Sequence, residues 1–105
     1  MNDKIEKFED LLVWQEGIKL STDIYNLLKN CNDFGFRHQI RMAAVSIPSN
    51  IAGGYDRHTN KEYIQFLFIA KGSCAEVRTQ LYLANNVGII SKEYVEPLIE
   101  RTRKI

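Results

Sequence analysis

Gln39-Ile40-Arg41-Met42-Ala43-Ala44-Val45-Ser46-Ile47-Pro48-Ser49-Asn50-Ile51-Ala52-Gly53-Gly54 is the stretch on which the fold turns. Phe36, Ile40, Ala43, Ile47, Ile51 and Gly54 recur at the three-and-four spacing of one helical face. Pro48 falls in the middle of it. Proline has no N–H for the carbonyl of Ala44, and its ring crowds that carbonyl, a defect of roughly 3 kcal/mol in an unsupported helix. The apolar face keeps its phase across the proline. The stretch therefore reads as one helix kinked at Pro48, not as two helices meeting near Ser46. Ser46, Ser49 and Asn50 are candidates to satisfy the freed carbonyl or to bond across to another helix.

Upstream, Met1–Glu9 reads as a short, frayed polar lead. A first helix follows over about residues 10–29, with Asp10 as N-cap. Leu11, Trp14, Ile18, Tyr25 and Leu28 form its stripe, widened by Leu12, Ile24 and Leu27. Trp14 reads as a core anchor with a bonded indole N–H, and Gly17 as the mark of a close helix contact. Asn30–Asp33 is a loop by composition. Asp33 is placed to cap the second helix, over about residues 34–57.

Downstream, Thr59 and Glu62 stand at the spacing of a capping box, opening a third helix over about residues 60–87 that Gly88 ends. Tyr63, Phe66, Leu67, Ala70, Cys74, Val77, Leu81 and Ala84 give it one continuous apolar face. A second, narrower face carries Ile64, Phe68, Ala75 and Tyr82. A helix with two apolar faces must bury both, and in so short a chain the second face calls for another copy. Ser91 can cap a last helix over about residues 92–104, where Pro97 implies a kink or a late start. No strand-like alternation of useful length occurs. The chain reads as all-α, one domain over residues 1–105.

At 105 residues and a formal charge of +1, the composition is that of an ordinary globular domain. No apolar run is long enough to span a bilayer, which excludes a membrane protein of that kind. The first residues (Asp3, Lys4, Glu6, Lys7) are charged and show no signal peptide, and Cys31 and Cys74 make no disulfide framework; a cytoplasmic protein is the expectation. Charge is unevenly spread. Acids predominate through Phe34, whereas from Gly35 to Lys61 Arg37, Arg41, Arg57 and Lys61 face only Asp56, with His38 and His58 alongside. Arg37 and Arg41, one turn apart, are the pair best spaced to hold a phosphate backbone or a carboxylate.

A search for catalysis finds little. His38, His58, Cys31 and Cys74 lack the paired spacings of a metal site. Ser46, Ser49 and Ser73 have no histidine at a spacing that places it beside them on a helix. Glu62 reads as a cap, and Glu76 with Gln80 and Arg78 as a polar inter-helix network instead of an acid–base pair. Gly53-Gly54 is too short and too helical in context for a phosphate loop. The Arg-then-His arrangement of small helical RNases is missing after Arg37 and Arg41. The expectation is a protein without enzymatic activity, cofactor or metal.

Phe8-Glu9-Asp10-Leu11-Leu12-Val13-Trp14-Gln15 resembles the opening of the 23S rRNA intervening-sequence proteins, also called the S23 ribosomal protein family. The resemblance continues through Gln39-Ile40-Arg41, the run from Ala43 to Ala52, Gly54 and Arg57. It extends into Glu62-Tyr63, Phe66-Leu67, Ile69-Ala70, Gly72-Ser73, Glu76 and Thr79-Gln80-Leu81, and covers about Phe8 to Gly88. It implies a left-handed up-down four-helix bundle that assembles as a ring-like homopentamer. Two departures stand out: Gly53 occupies the place where the family usually has glutamate, and the net charge is close to neutral instead of strongly basic.

Two functions follow as expectations. The first is a homo-oligomeric bundle that contacts structured RNA or DNA through phosphates, using Arg37, Arg41, Arg57 and Lys61, with His38 and His58 secondary and Tyr55 as the one candidate for base stacking. The second is a structural adaptor that binds protein partners and no nucleic acid. In either, Ile64, Phe68, Ala75 and Tyr82 form the interface between copies.

Overall fold

The computed structural model describes residues 5–105, so part of the Met1–Glu9 lead lies outside the described residues. A 3-10 turn over Phe8–Asp10 precedes four helices: α1 (Leu12–Leu27), α2 (Phe34–Tyr55), α3 (Asn60–Asn86) and α4 (Lys92–Arg103). Among the described residues there is no strand. Cross-helix pairs fix the directions. Gly17 meets Ile47 and Pro48, while Arg41 meets Tyr25; Gly54 meets Phe66, while Ser46 meets Ser73; Asn85 near the end of α3 meets Ile90 just ahead of α4, while Arg78 meets Thr102. In each pair numbering rises along one helix as it falls along the other, so successive helices run antiparallel, as short connections require. Leu20, Ile24, Ile40, Ile47, Ile51, Val77 and Leu81 fill the core.

α2 runs unbroken through Pro48, and its support comes from α1. Ser21 Oγ donates a 2.9 Å hydrogen bond to the carbonyl of Ala44, the group that Pro48 leaves without its intrahelical donor. Ser46, Ser49 and Asn50 do not fill that role. Ser46 instead bonds across to α3, its hydroxyl lying within hydrogen-bond reach of both Ala43 O and Ser73 Oγ and giving its one proton to one of them at a time, and Asn50 Nδ2 donates to Ser46 O. The proline ring lies against Gly17, where an added Cβ would sit 3.4 Å from Pro48 Cβ and Cδ. Gly17 thus marks the close contact its position suggests. A bend of the α2 axis at Pro48 stays an expectation.

The caps divide. Asp33 Oδ1 accepts from Phe36 N, and Thr59 Oγ1 accepts from Glu62 N, as the spacing indicates. Gly88 takes φ +82°, the left-handed conformation that ends α3. Asp10 does not cap α1: the N-cap is Leu11, because residues 8–10 already form a 3-10 turn pinned by Gln15 Nε2 donating to Glu9 O. Ser91 makes no side-chain cap bond. Nor does α4 start late. It includes Pro97, whose ring faces solvent, where water can satisfy the carbonyl of Glu93. Trp14 packs edge-on against Phe8 at 5.3 Å, half-buried.

α3 has 27 residues and α4 has 12. At 1.5 Å per residue that leaves roughly 20 Å of α3 without a fourth helix beside it. α4 is tied down over the covered part: Arg78 Nε donates to Thr102 Oγ1 at 3.0 Å, and Arg101 pairs with Asp23 at 2.6 Å. Beyond its end a groove of about 370 Å³ opens between α1 and α3, lined by Val13, Tyr63, Ile64, Leu67, Phe68, Ala70, Lys71 and Ile105.

Candidate interaction surfaces

The six cationic candidates occupy the two ends of α2. Arg37, His38 and Arg41 lie in its first turns, Arg57 and His58 in the α2–α3 turn, and Lys61 in the first turn of α3. Twenty residues of helix separate Arg37 from Arg57, about 30 Å. One phosphate cluster cannot use both groups. The spacing of these residues on the helix expected over residues 34–57 already implies the separation; charge asymmetry alone does not, because it counts residues without regard to which end of a helix they occupy.

The first group is committed within the subunit. Arg41 Nη2 donates to Tyr25 O at 2.9 Å, and its guanidinium lies 4.4 Å from the Tyr25 ring centroid. Tyr25 O belongs to the last turn of α1, where Ile24 O and Asn26 O accept from Leu28 N and Lys29 N; Arg41 caps Tyr25 O from the next helix. Arg41 Nε is buried without a partner among the described residues. Arg37 Nη1 donates to Cys31 O at 3.4 Å and stacks over Phe34 at 4.7 Å. His38 is exposed.

The second group is more open. Arg57 makes a loose 3.8 Å pair with Glu62 and lies 5.0 Å from the Phe66 ring centroid. Lys61 is exposed. His58 is exposed and takes φ +69°, a conformation tolerated by His better than by most residues. Tyr55 is not a free stacking platform: its hydroxyl donates to Ile5 O at 2.6 Å, and its ring meets Tyr63 edge-on.

Ile64, Phe68, Ala75 and Tyr82 all lie exposed along one line of α3, with Phe68 68% accessible. A second exposed ridge, absent from the sequence reading, carries Ile69, Leu83 and Val87. A helical wheel extended past the first two faces would have found it. At 100° per residue the two ridges are separated by about 110° of rotation. The expected network of Glu76, Gln80 and Arg78 does not form. Glu76 and Arg78, two residues apart, point away from each other; Arg78 binds Thr102, Glu76 is exposed, and Gln80 Oε1 is buried without a partner among the described residues.

Among the described residues no three His, Cys, Asp or Glu side chains converge on a metal-sized site. No described helix is long and apolar enough to cross a membrane. Burial pushes the Cys74 thiol up, against a smaller opposing effect of Arg78, and burial followed by the nearby Tyr55 pushes the Tyr63 phenol up.

A bundle of four antiparallel helices with outward apolar ridges defines an all-helical protein with surfaces suited to contact. Its family is specific. Residues 9–105 match the model of the 23S rRNA-intervening sequence protein family, and the chain belongs to that family. It is similar to a solved structure, a protein with unknown function from the S23 ribosomal protein family of Bacteroides thetaiotaomicron VPI-5482. The TM-score is 0.82 at 22% identity, over 89% of this chain and 90% of that one. At that identity the likeness speaks for the fold. No curated protein matches the chain.

Proposed function

We propose that this chain is a non-enzymatic cytoplasmic bundle that works as a homo-oligomer whose copies meet through α3. The observation that carries this is the pair of exposed apolar ridges on that helix. Large exposed apolar patches on a soluble domain mark contact surfaces. A helix with one such ridge needs one neighbour, whereas two ridges ask for two. In a closed ring where α3 touches α3 on each side, five copies set the two contacts about 108° apart, close to the roughly 110° between the ridges. That supports the homopentamer implied by the family resemblance. Light scattering tests it. The wild-type mass should be several times the 12.2 kDa of one chain, and Phe68→Asp should reduce it to one chain with helical content intact. A wild-type mass of one chain overturns the proposal.

A second reading, contact with RNA or DNA phosphates, is favoured by the grouping of Arg57, His58 and Lys61 around the α2–α3 turn and the start of α3. A ring repeats that turn in every copy, and multivalency converts weak single contacts into useful avidity. Arg37 and Arg41 contribute less, being engaged with Cys31 O and Tyr25 O. Binding to a mixed RNA and DNA pool should weaken steeply between ~50 and ~200 mM salt and fall with Arg57→Ala/Lys61→Ala. No binding at the lower salt leaves an adaptor for protein partners.

A further inference from the structure

We infer that neighbouring copies pack α3 against α3 in parallel, with Lys71 of one copy facing Glu76 of the next and Phe68 of one seated beside Gly72 of the next. The inference rests on the self-assembly proposed above and specifies its geometry. Lys71 borders the Ile64–Phe68 ridge and lines the α1–α3 groove. Glu76 lies on the other ridge, between Ile69 and Leu83. Both are exposed, and neither has an ion-pair partner among the described residues. The two ridges thus carry opposite unspent charges at their middles. When parallel helices pack side by side, charges flanking the apolar seam pair at an offset of about five residues, from the end of one heptad into the next. Lys71 and Glu76 have that offset. An antiparallel two-fold contact through the first ridge would instead bring Lys71 against its own copy, and like charges there are unfavourable.

Gly72 supplies the second argument. It sits inside the longest helix, where glycine costs about 1 kcal/mol relative to alanine. A Cβ added there would meet nothing within 4 Å, so no contact inside the subunit explains the absence of a side chain. In a parallel contact without axial shift, the Phe68 ring reaches the level between the neighbour's Gln65, Ile69 and Gly72. A side chain at the glycine would close that space. The contact joins two different surfaces, so it continues from copy to copy until the ring closes.

Cysteine cross-linking tests the geometry, in a background where Cys31 is replaced by serine and Cys74, buried, is kept. Under mild oxidation Lys71→Cys alone and Glu76→Cys alone should remain uncross-linked. An equal mixture, dissociated and reassembled, should give covalent dimers, and the double variant should give a ladder of larger species. A single variant that cross-links to itself as well as the mixture does would overturn the parallel arrangement. A wild-type mass of several chains with no cross-link in any variant would also overturn it, while leaving self-assembly standing; a wild-type mass of one chain removes both. Independently, Gly72→Leu should leave the subunit at least as heat-stable as wild type yet weaken assembly about tenfold or more. Lys71→Glu should weaken it too, and Lys71→Glu/Glu76→Lys should restore it.

Discussion

Ser21→Ala is the most informative single change in this bundle, because it removes the donor that stands in for the N–H missing at Pro48. Ser21 is 8% accessible and Ala44 is fully buried, so water cannot replace the lost bond without opening the α1–α2 contact. A buried acceptor left unsatisfied costs about 1–3 kcal/mol, and the lost hydroxyl leaves only a small void, so about 2 kcal/mol is expected. For a domain of this size that is a fall in Tm of roughly 8–16 °C. The decisive experiment is a double-mutant cycle with Pro48→Ala, read by urea unfolding at fixed protein concentration. Alanine at 48 brings back an N–H that can reach the Ala44 carbonyl. In that background Ser21→Ala should cost about 0.5 kcal/mol or less, a coupling of about 1.5 kcal/mol. Pro48→Ala alone has opposing parts: the helix gains propensity, but the buried ring leaves its place against Gly17. The coupling subtracts both. If Ser21→Ala costs the same with proline or alanine at 48, Ser21 is not the substitute donor and the account of α2 fails.

Further outcomes follow from close contacts and caps. Gly54→Ala drives a Cβ into Phe66 Cβ, next to backbone, so α2 and α3 must separate; a loss of about 1–3 kcal/mol by urea unfolding is expected. Gly53→Ala, with its nearest outside atom at 3.9 Å, should be neutral or stabilising by up to about 1 kcal/mol, and Gly53→Glu should fold. Arg41→Ala should cost about 1–2 kcal/mol by the same assay through loss of the Tyr25 O cap, and Arg41→Lys should recover only part, since an ammonium does not reproduce the stacked fork. Cys74 should alkylate far more slowly than Cys31 in the folded protein, as mass spectrometry can score. Because burial raises the folded Cys74 pKa above its unfolded value, stability is fully present below the ordinary thiol range and is lost as pH rises through the folded value.

The helices were legible because their signals are local. Asp33, Thr59 and Gly88 act within one turn of their own positions, and the apolar faces of α2 and α3 repeat at helical spacing. The failures share a cause. Which donor reaches Ala44 depends on a residue 23 positions away, on another helix. Arg37 and Arg41 look free in sequence because their partners, the carbonyls of Cys31 and Tyr25, belong to the backbone and have no letter of their own. Asp10 is a good cap by type, but a 3-10 turn occupies its place. On the exposed side of α3, helical spacing marks the Ile64, Phe68, Ala75 and Tyr82 line, whereas Ile69, Leu83 and Val87 were missed. A helical wheel groups those three on one line, but that nothing in the subunit covers them emerges only when α1, α2 and α4 are all in position.

The unequal helix lengths connect the fold to the proposed assembly. Were α4 as long as α3, it would cover the ridge of Ile64 and Phe68, and the subunit could bury its own apolar surface. Instead α4 stops at Arg103, held by Arg101 to Asp23 and by Thr102 to Arg78, and the groove begins where it ends. An extension that completes the fourth helix would therefore compete with a neighbouring copy for that surface. Adding about fifteen helix-forming residues after Ile105, apolar toward α1 and α3, should raise the unfolding free energy of the single subunit and reduce the mass of the assembly together. If the extension docks, as judged by added helical content and slowed proteolysis of α4, yet the assembly keeps its full mass, then the Ile64–Phe68 ridge is not where copies meet.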